Sequence, residues 1–153
     1  MLKKTIWIGI LVLSVSVSFI FAQQRTVVRD RNARAMLLGT HKLSLQWISW
    51  DYFGTATVTN RAGTLYLKGS QRGRGDSKSD YLTIDGVITS VSAKEFKFSG
   101  KIVTRVSHIN GGAPCERDDD FTFRITGNRK YWRLQEMDNP CDGVTDYVDI
   151  YFK

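Results

Sequence analysis

The chain has 153 residues, a formal net charge of +7 and two cysteines. This length supports one domain with one hydrophobic core and is short for two. The basic residues do not form the long Lys/Arg run that is typical of nucleic-acid binding, so a nucleic-acid partner is not expected. Charge is nevertheless segregated, with a cluster of arginines before residue 35 and most acidic residues after residue 115.

The first 22 residues have the pattern of a secretory signal. Lys3 and Lys4 give a positive start, an apolar run follows as far as Phe21, and Ala22 is a small residue suited to cleavage. The apolar run is also just long enough for a membrane anchor, but the polar residues after Ala22 favour cleavage. We therefore expect a secreted or periplasmic chain of 131 residues with a net charge of +5 and no permanent membrane anchor.

Residues 23–39 are predicted to form a basic N-terminal segment with one short helix. The helix is placed from Val27 to Leu38, with Ala33, Met36 and Leu37 on its apolar side. Gly39 then ends it, because glycine tolerates the backbone conformation that closes a helix.

Residues 40–153 form a single predicted β-domain, since apolar and polar residues alternate almost throughout. Eight strands are predicted, with no second helix. Many of the inward positions are bulky, so side chains that fill the domain interior are at least as well supported as an empty cavity. These bulky inward residues are Trp47, Phe96, Phe98, Phe121, Phe123, Trp132 and Phe152.

Short turns set the expected register of two strand pairs. In the first pair we expect Thr59 opposite Thr64, and in the second Thr126 opposite Arg129. In an up-and-down order, short turns share one end of the domain and long connections share the other. The short turns are Asn60–Gly63, Ser90–Lys94 and Gly127–Asn128.

The predicted fold is all-β, an eight-stranded antiparallel up-and-down barrel, because closure removes exposed sheet edges. A two-sheet β-sandwich is the alternative. In this strand order the connections alternate between the two ends of the barrel. Cys115 and Cys141 therefore both lie at the end that carries the long connections, which we call the mouth. In an exported chain these two cysteines are expected to form a disulfide, worth about 3–4 kcal/mol in the chain-entropy model.

The segment LLGTHKL, Leu37–Leu43, resembles the start of the first strand in bacterial lipocalin-like domains, Leu-x-Gly-Thr-Trp-Lys-Leu. In this chain His41 stands at the position of the tryptophan. The resemblance implies an eight-stranded barrel and binding of a small apolar molecule. Because the family's tryptophan closes the barrel floor, His41 is implied to be a floor residue rather than a ligand.

The long connections supply a candidate binding rim at the mouth. Aromatic and arginine side chains are the types that dominate binding hot spots. Arg74–Ser77 also spells Arg-Gly-Asp-Ser, an adhesion motif that integrins bind, but the flanking Gly and Ser residues are typical of an ordinary loop. The rim candidates are Trp50, Tyr52, Phe53, Arg72, Arg74, Asp76, His108 and Glu136.

Two function classes follow from these residues. The first is an exported binding protein that takes a small apolar or amphipathic ligand in a shallow pocket between the Trp50–Phe53 turn and the disulfide. The second is a protein-interaction or inhibitor module that uses the rim as its contact surface. The motif at Arg74–Ser77 adds adhesion as a further alternative.

Catalysis and metal binding have less support in the sequence. His108, the one reasonable general base, ends an apolar strand face, and Glu136 could place a carboxylate near the mouth, but no nucleophile–base–acid set is evident, so an enzyme is not expected. The acidic stretches suggest calcium ligands, but their spacing is not that of an EF-hand, and a solvated acidic rim is favoured. No cofactor is expected. The calcium candidates are Asp118, Asp120, Asp138 and Asp142.

Overall fold

The computed structural model describes residues 24–153, so the predicted signal at residues 1–22 lies outside the described part. One short helix and nine strands are present there, with single turns of 3-10 helix at Gly75–Ser77 and Asn110–Gly112. The elements are β1 (Val27–Val28), α1 (Arg31–Leu37), β2 (Gly39–Leu45), β3 (Gly54–Arg61), β4 (Thr64–Arg72), β5 (Tyr81–Val91), β6 (Glu95–Arg105), β7 (Cys115–Arg124), β8 (Tyr131–Leu134) and β9 (Val148–Tyr151).

Strands β2 to β9 form a closed antiparallel barrel. Each pairs with its neighbour in the chain, and β9 pairs back with β2, with Leu43 opposite Ile150. The two-residue strand β1 adds to β5 in parallel, with Val27 beside Ser90. The prediction of an eight-stranded up-and-down barrel is therefore confirmed, and the β-sandwich is not observed.

The N-terminal helix is shorter than predicted. It starts at Arg31 because the Asp30 side chain accepts a hydrogen bond from the Ala33 N–H at 2.7 Å and so caps the first turn. Val27–Val28, which was predicted as helix, is extended. Leu37 is buried as expected, and β2 begins two residues after it. Within residues 24–153, no helix has the length and apolar character needed to cross a membrane.

Aromatic rings occupy the barrel interior. Phe96 stacks on Phe123 with ring centroids 4.9 Å apart, and both side chains are almost completely buried. The Phe98 ring lies over the paired glycines Gly86 and Gly100, where a Cβ would come within 3 Å of ring carbons. A Cβ would lie even closer to the partner strand, 2.3 Å from the Ser99 carbonyl oxygen at Gly86 and 2.4 Å from that of Asp85 at Gly100, so both positions hold glycine because the ring and the paired backbone approach closely.

The hairpin between β3 and β4 has a tighter turn than predicted. Arg61 pairs with Thr64 across a two-residue loop in which Ala62 and Gly63 have φ of 49° and 90°. Such positive φ values match the right-handed twist of hairpin strands. Thr59 therefore faces Tyr66, and the predicted Thr59–Thr64 pairing is wrong by two residues.

The hairpin between β7 and β8 deviates in the same way. The predicted register would place Phe123 opposite Trp132, whereas Phe123 faces Leu134. The connection is longer than the predicted two-residue loop, because the ladder between these two strands ends at the pair Arg124 and Arg133. Trp132 then lies nearer the closed end of the barrel, where short turns are grouped.

Trp47 lies outside the first barrel strand, contrary to prediction. Strand β2 ends at Leu45, whose carbonyl accepts hydrogen bonds from the N–H groups of Ile48 and Ser49 at 3.0 and 3.3 Å. This tight turn carries the Trp47 side chain out of the barrel interior to the mouth, where it is only partly buried.

Candidate functional site

A disulfide fastens the mouth of the barrel. Cys115, buried at the start of β7, is bonded to Cys141 in the long connection between β8 and β9, with Cα atoms 5.9 Å apart. The Cys141 N–H also bonds to the Asn139 side chain at 2.9 Å. The predicted pairing is confirmed, and it ties this connection to the barrel wall.

A buried polar cluster beneath the mouth positions Trp47. The Asp146 carboxylate accepts hydrogen bonds from the Trp47 indole N–H at 3.2 Å, from Asn139 at 3.1 Å and from Arg117 at 3.4 Å. Burial raises the pKa of Asp146, although the charge of Arg117 opposes that shift. Burial also lowers the pKa of Arg117. The indole is thereby held in one orientation.

The mouth cleft, which runs between the turn after β2 and residues 143–147, has a volume of about 540 Å³. Trp50 forms its outer edge and is 52% exposed. Gln46 holds the two walls together, because its side chain donates to the Thr145 carbonyl at 2.6 Å and accepts from the Tyr147 N–H at 2.7 Å. The lining includes Gln46, Trp47, Trp50, Val144, Thr145 and Tyr147.

Tyr52 and Arg74 form a second group at the mouth. The Arg74 guanidinium lies 4.2 Å from the centre of the Tyr52 ring, and the backbone N–H of Arg74 donates to the Tyr52 hydroxyl at 3.1 Å. Buried Gln71 supports this group, because it donates to the Tyr52 carbonyl at 3.1 Å and accepts from the Leu45 N–H at 2.7 Å. Sequence reasoning missed Gln71, although a polar residue at an inward strand position was a signal for it.

The remaining rim candidates are dispersed. His108 is exposed and has its ring edge-on to Trp47, at 6.2 Å between centroids. Arg72 lies over the Tyr81 ring at 5.4 Å. Asp76 is exposed in the single turn Gly75–Ser77. His108 thereby contacts a residue that lines the mouth cleft, whereas Arg72 and Asp76 are not among the lining residues.

Phe53 and Glu136 also lie apart from the mouth cleft. Phe53 packs edge-on against Tyr151 at 5.1 Å and lies beneath the Lys42 ammonium at 5.2 Å, on the outer face of the barrel. The Glu136 carboxylate accepts the Thr122 N–H at 2.8 Å. The single rim inferred from strand parity is thus divided among several local contacts.

The acidic residues near the disulfide form a separate open cleft of about 310 Å³. Asp118, Asp120 and Asp138 line it, whereas the Asp142 carboxylate instead accepts the Asn110 N–H at 2.6 Å. Residues 24–153 contain no group of three or more His, Cys, Asp or Glu side chains arranged to hold a metal ion. The four calcium candidates therefore do not form one site.

An ion pair on the outer face was not predicted. Arg133 donates two hydrogen bonds to Asp149, each 2.7 Å long, and this hydrogen bonding raises the pKa of Arg133. The guanidinium is 4.1 Å from the centre of the Tyr147 ring and 5.2 Å from that of Tyr131. The sequence signal was the alternation of tyrosine with charged residues at outward positions of β8 and β9.

His41 lies buried at the closed end, as the family resemblance implied. Its Nδ1 is 2.9 Å from the Tyr151 carbonyl oxygen and its Nε2 is 2.7 Å from that of Leu37. Both ring nitrogens therefore face backbone carbonyl oxygens, which are hydrogen-bond acceptors. The ring edge also contacts Trp132 at 5.7 Å, so His41 joins α1, β2 and β9.

These features define a small all-β protein, an eight-stranded barrel with a filled interior, a disulfide at its mouth and open surface clefts. The chain belongs to the PM1083 family, whose family model matches residues 25–152. It is 50% identical over 116 residues to the protein named "Uncharacterized protein PM1083" of Pasteurella multocida (strain Pm70). The aligned residues make up 76% of this chain and 73% of that relative. No solved structure matches the chain. The lipocalin resemblance is therefore supported by the barrel fold alone.

Proposed function

We propose that the protein is an exported binding protein that holds the apolar part of a small amphipathic ligand in the mouth cleft. The observation that carries this proposal is Trp50, whose large apolar side chain is 52% exposed at the edge of a cleft of about 540 Å³. Clefts of this size suit small molecules, which are commonly held by aromatic walls and a few polar groups. Here the aromatic walls come from Trp47 and Tyr147, and Gln46 supplies the polar group.

The filled interior determines how such a ligand would sit. Stacked rings such as Phe96 and Phe123 occupy the space that an enclosing barrel would give to its ligand. A ligand at the mouth would therefore keep one side in water, which favours an amphipathic molecule over a purely apolar one. Export is supported by the disulfide, since such bonds persist mainly outside the reducing cytosol.

Ligand titration followed by amide NMR tests this proposal. Lauric acid and the uncharged dodecyl maltoside are expected to shift the amides of Val144 and Thr145 in a saturable manner. Trp50→Ala should weaken binding of both by about tenfold, because it removes roughly 50 Å² or more of apolar contact. Tyr66→Ala is the matched control, since Tyr66 is a half-buried aromatic stacked under Arg61 at another place on the barrel. Equal binding by the Trp50→Ala protein, or no saturable shift with either amphiphile, would exclude the mouth cleft.

A protein partner at the same rim is the second candidate. It is favoured by the stack of Arg74 on Tyr52, since interface hot spots are enriched in these two residue types. We expect the Trp50→Ala/Arg74→Ala protein to lose a partner captured by the wild type from an envelope extract. Arg61→Ala is the control, because Arg61 makes the same kind of stack on Tyr66. Unchanged capture by the double variant would reject the interaction module.

Adhesion and catalysis rank below these two proposals. The Arg74 side chain lies against Tyr52, so an adhesion receptor would first have to displace it. Cell adhesion that survives Asp76→Glu would end that alternative. We also propose that the protein is not an enzyme, because His108 lies against Trp47 whereas Glu136 accepts a backbone N–H. The proposal that the protein is not an enzyme would be overturned by turnover of a substrate that is lost in the His108→Ala protein and also in the Glu136→Gln protein.

A further inference from the structure

A second cleft, which we call the basal cleft, lies on the outer face near the closed end of the barrel. It has a volume of about 650 Å³, larger than the mouth cleft. Its lining includes Thr40, Lys42, Thr55, Lys130, Tyr151 and Lys153, and none of the residues that line it is acidic. Three lysines thus converge where three different segments of the chain meet.

These three lysines differ from others on the same barrel. Lys68 lies 3.2 Å from Asp85, Lys101 lies 3.5 Å from Glu116, and Lys97 lies 3.9 Å from Glu95. Within residues 24–153, none of the ion pairs involves a lysine of the basal cleft. Cations that share a cleft lined by no acidic side chain produce a positive local potential, which attracts anions.

The basal cleft is held in place by backbone and ring contacts. The Phe152 N–H donates to the Lys130 carbonyl at 2.9 Å, which fixes the segment that carries Lys153 beside Lys130. The Lys153 ammonium donates to the Leu38 carbonyl at the end of α1. Lys42 lies over the Phe53 ring, 5.2 Å from its centre. Pre-positioned charges lose less entropy when they bind an anion than mobile ones do.

Hydroxyl groups and rings complete the lining. Thr40 and Thr57 lie with their hydroxyl oxygens 3.2 Å apart, so Thr40 points along the outer face beside Lys42. Thr55 and the Tyr151 ring supply a further hydroxyl and an apolar wall. Ammonium and hydroxyl donors around one space match the several acceptor oxygens of a phosphate, and three cations suit a dianion better than a single carboxylate.

We propose that the basal cleft binds a phosphate group, carried either by a small soluble molecule or by a lipid headgroup. Lys42 and Lys130 direct their ammonium charge to the phosphate, whereas Lys153 already gives one of its three N–H donors to the Leu38 carbonyl at the end of α1. The proposal does not depend on the mouth cleft, since no residue lines both.

Titration with inorganic phosphate and glycerol 3-phosphate at constant ionic strength tests the soluble source. Saturable shifts are expected at the amides of Thr40, Lys42 and Thr55. The Lys42→Gln/Lys130→Gln protein should bind at least about tenfold more weakly. The matched control is Lys68→Gln/Lys101→Gln, which removes the same charge from ion-paired positions and should change affinity by less than about twofold.

Co-sedimentation with phosphatidylcholine vesicles, with and without phosphatidylglycerol, tests the lipid source. Binding that needs phosphatidylglycerol and is lost only in the Lys42→Gln/Lys130→Gln protein would support a headgroup. The proposal is overturned if neither soluble phosphate nor these vesicles bind the wild type. It is equally overturned if the Lys68→Gln/Lys101→Gln protein binds as weakly as the Lys42→Gln/Lys130→Gln protein, because the loss would then follow from net charge rather than from the basal cleft. All four lysines are exposed, so both variants should fold with unchanged thermal midpoints.

Discussion

The ion pair between Arg133 and Asp149 gives the sharpest test of how this barrel is stabilised. Both residues point away from the core, yet their side chains are only 12% and 0% exposed. The two hydrogen bonds between them are 2.7 Å each, and the Tyr147 ring covers the guanidinium at 4.1 Å. A carboxylate this deeply buried depends on its partner, because water does not reach it to replace the lost charge interaction.

Arg133→Met should lower the free energy of unfolding by about 3–5 kcal/mol, the usual cost of leaving one buried charge unpaired. The Arg133→Met/Asp149→Leu protein should recover most of that loss, since apolar residues of similar volume commonly replace a buried ion pair at little cost. Arg124→Gln is the control, because Arg124 and Glu95 form a pair whose side chains are 48% and 30% exposed. That exposed pair should contribute less than about 1 kcal/mol.

Urea denaturation followed by circular dichroism measures all three variants. For a domain of this size, a loss of about 4 kcal/mol should also lower the thermal midpoint by roughly 10–15 °C. A cost below about 1 kcal/mol for Arg133→Met would show that the carboxylate is hydrated in spite of its burial. A double variant as unstable as the single one would show that packing, rather than the unpaired charge, sets the loss.

Further variants test the mouth, the floor and the core. Replacing Cys115 and Cys141 by alanine should cost about 3–4 kcal/mol in urea denaturation, since the bond spans 26 residues; a loss below about 1 kcal/mol would contradict the chain-entropy argument. His41→Leu should cost about 2–4 kcal/mol and speed hydrogen exchange in α1, because the Leu37 and Tyr151 carbonyl oxygens lose their imidazole partner; unchanged exchange would refute the floor role. Gly86→Ala should cost about 1–3 kcal/mol or more, because its Cβ would lie 2.3 Å from the Ser99 carbonyl oxygen and 2.8 Å from the Phe98 ring; a neutral thermal midpoint would show that the paired strands and the ring shift apart at little cost.

Strand parity could be predicted from the sequence, whereas the register of the hairpins could not. Thr59 was expected opposite Thr64 and lies opposite Tyr66, a shift of two residues. Phe123 was expected opposite Trp132 and lies opposite Leu134, again a shift of two. A shift of two leaves every side chain on its face, because side chains alternate with period two. The hydrophobic pattern therefore predicted the barrel and its core but could not distinguish these registers.

The candidate site, like the fold, could be predicted from the sequence only in part. Parity placed both cysteines at the mouth, and the pairing of Cys115 with Cys141 is confirmed. The contact of Gln71 was not predicted because it reaches from β4 to the end of β2. The contact of Arg133 was not predicted because the long connection between β8 and β9 leaves their register open in the sequence. The basal cleft was missed as well, since the ends of the chain segments that carry its lysines meet only in the closed barrel.

A row of stacked side chains on the outer face runs between the two clefts. It passes from Tyr147 of the mouth cleft through Arg133 and Tyr131 to Tyr151 of the basal cleft, with steps of 4.1, 5.2 and 5.2 Å between neighbouring groups. Contact continuity alone does not couple two sites, because coupling requires an element with two arrangements that both ligands bias. Asp149 holds Arg133 in one arrangement through two hydrogen bonds.

We therefore expect the two clefts to bind independently. Affinity for dodecyl maltoside, an uncharged probe of the mouth cleft, should change by less than about twofold when glycerol 3-phosphate saturates the basal cleft. The Arg133→Met/Asp149→Leu protein is the comparison, because it removes the central member of the row. A larger change in the wild type that disappears in this variant would show that the row has a second arrangement. In that case the buried ion pair would transmit binding between the clefts as well as stabilise the barrel.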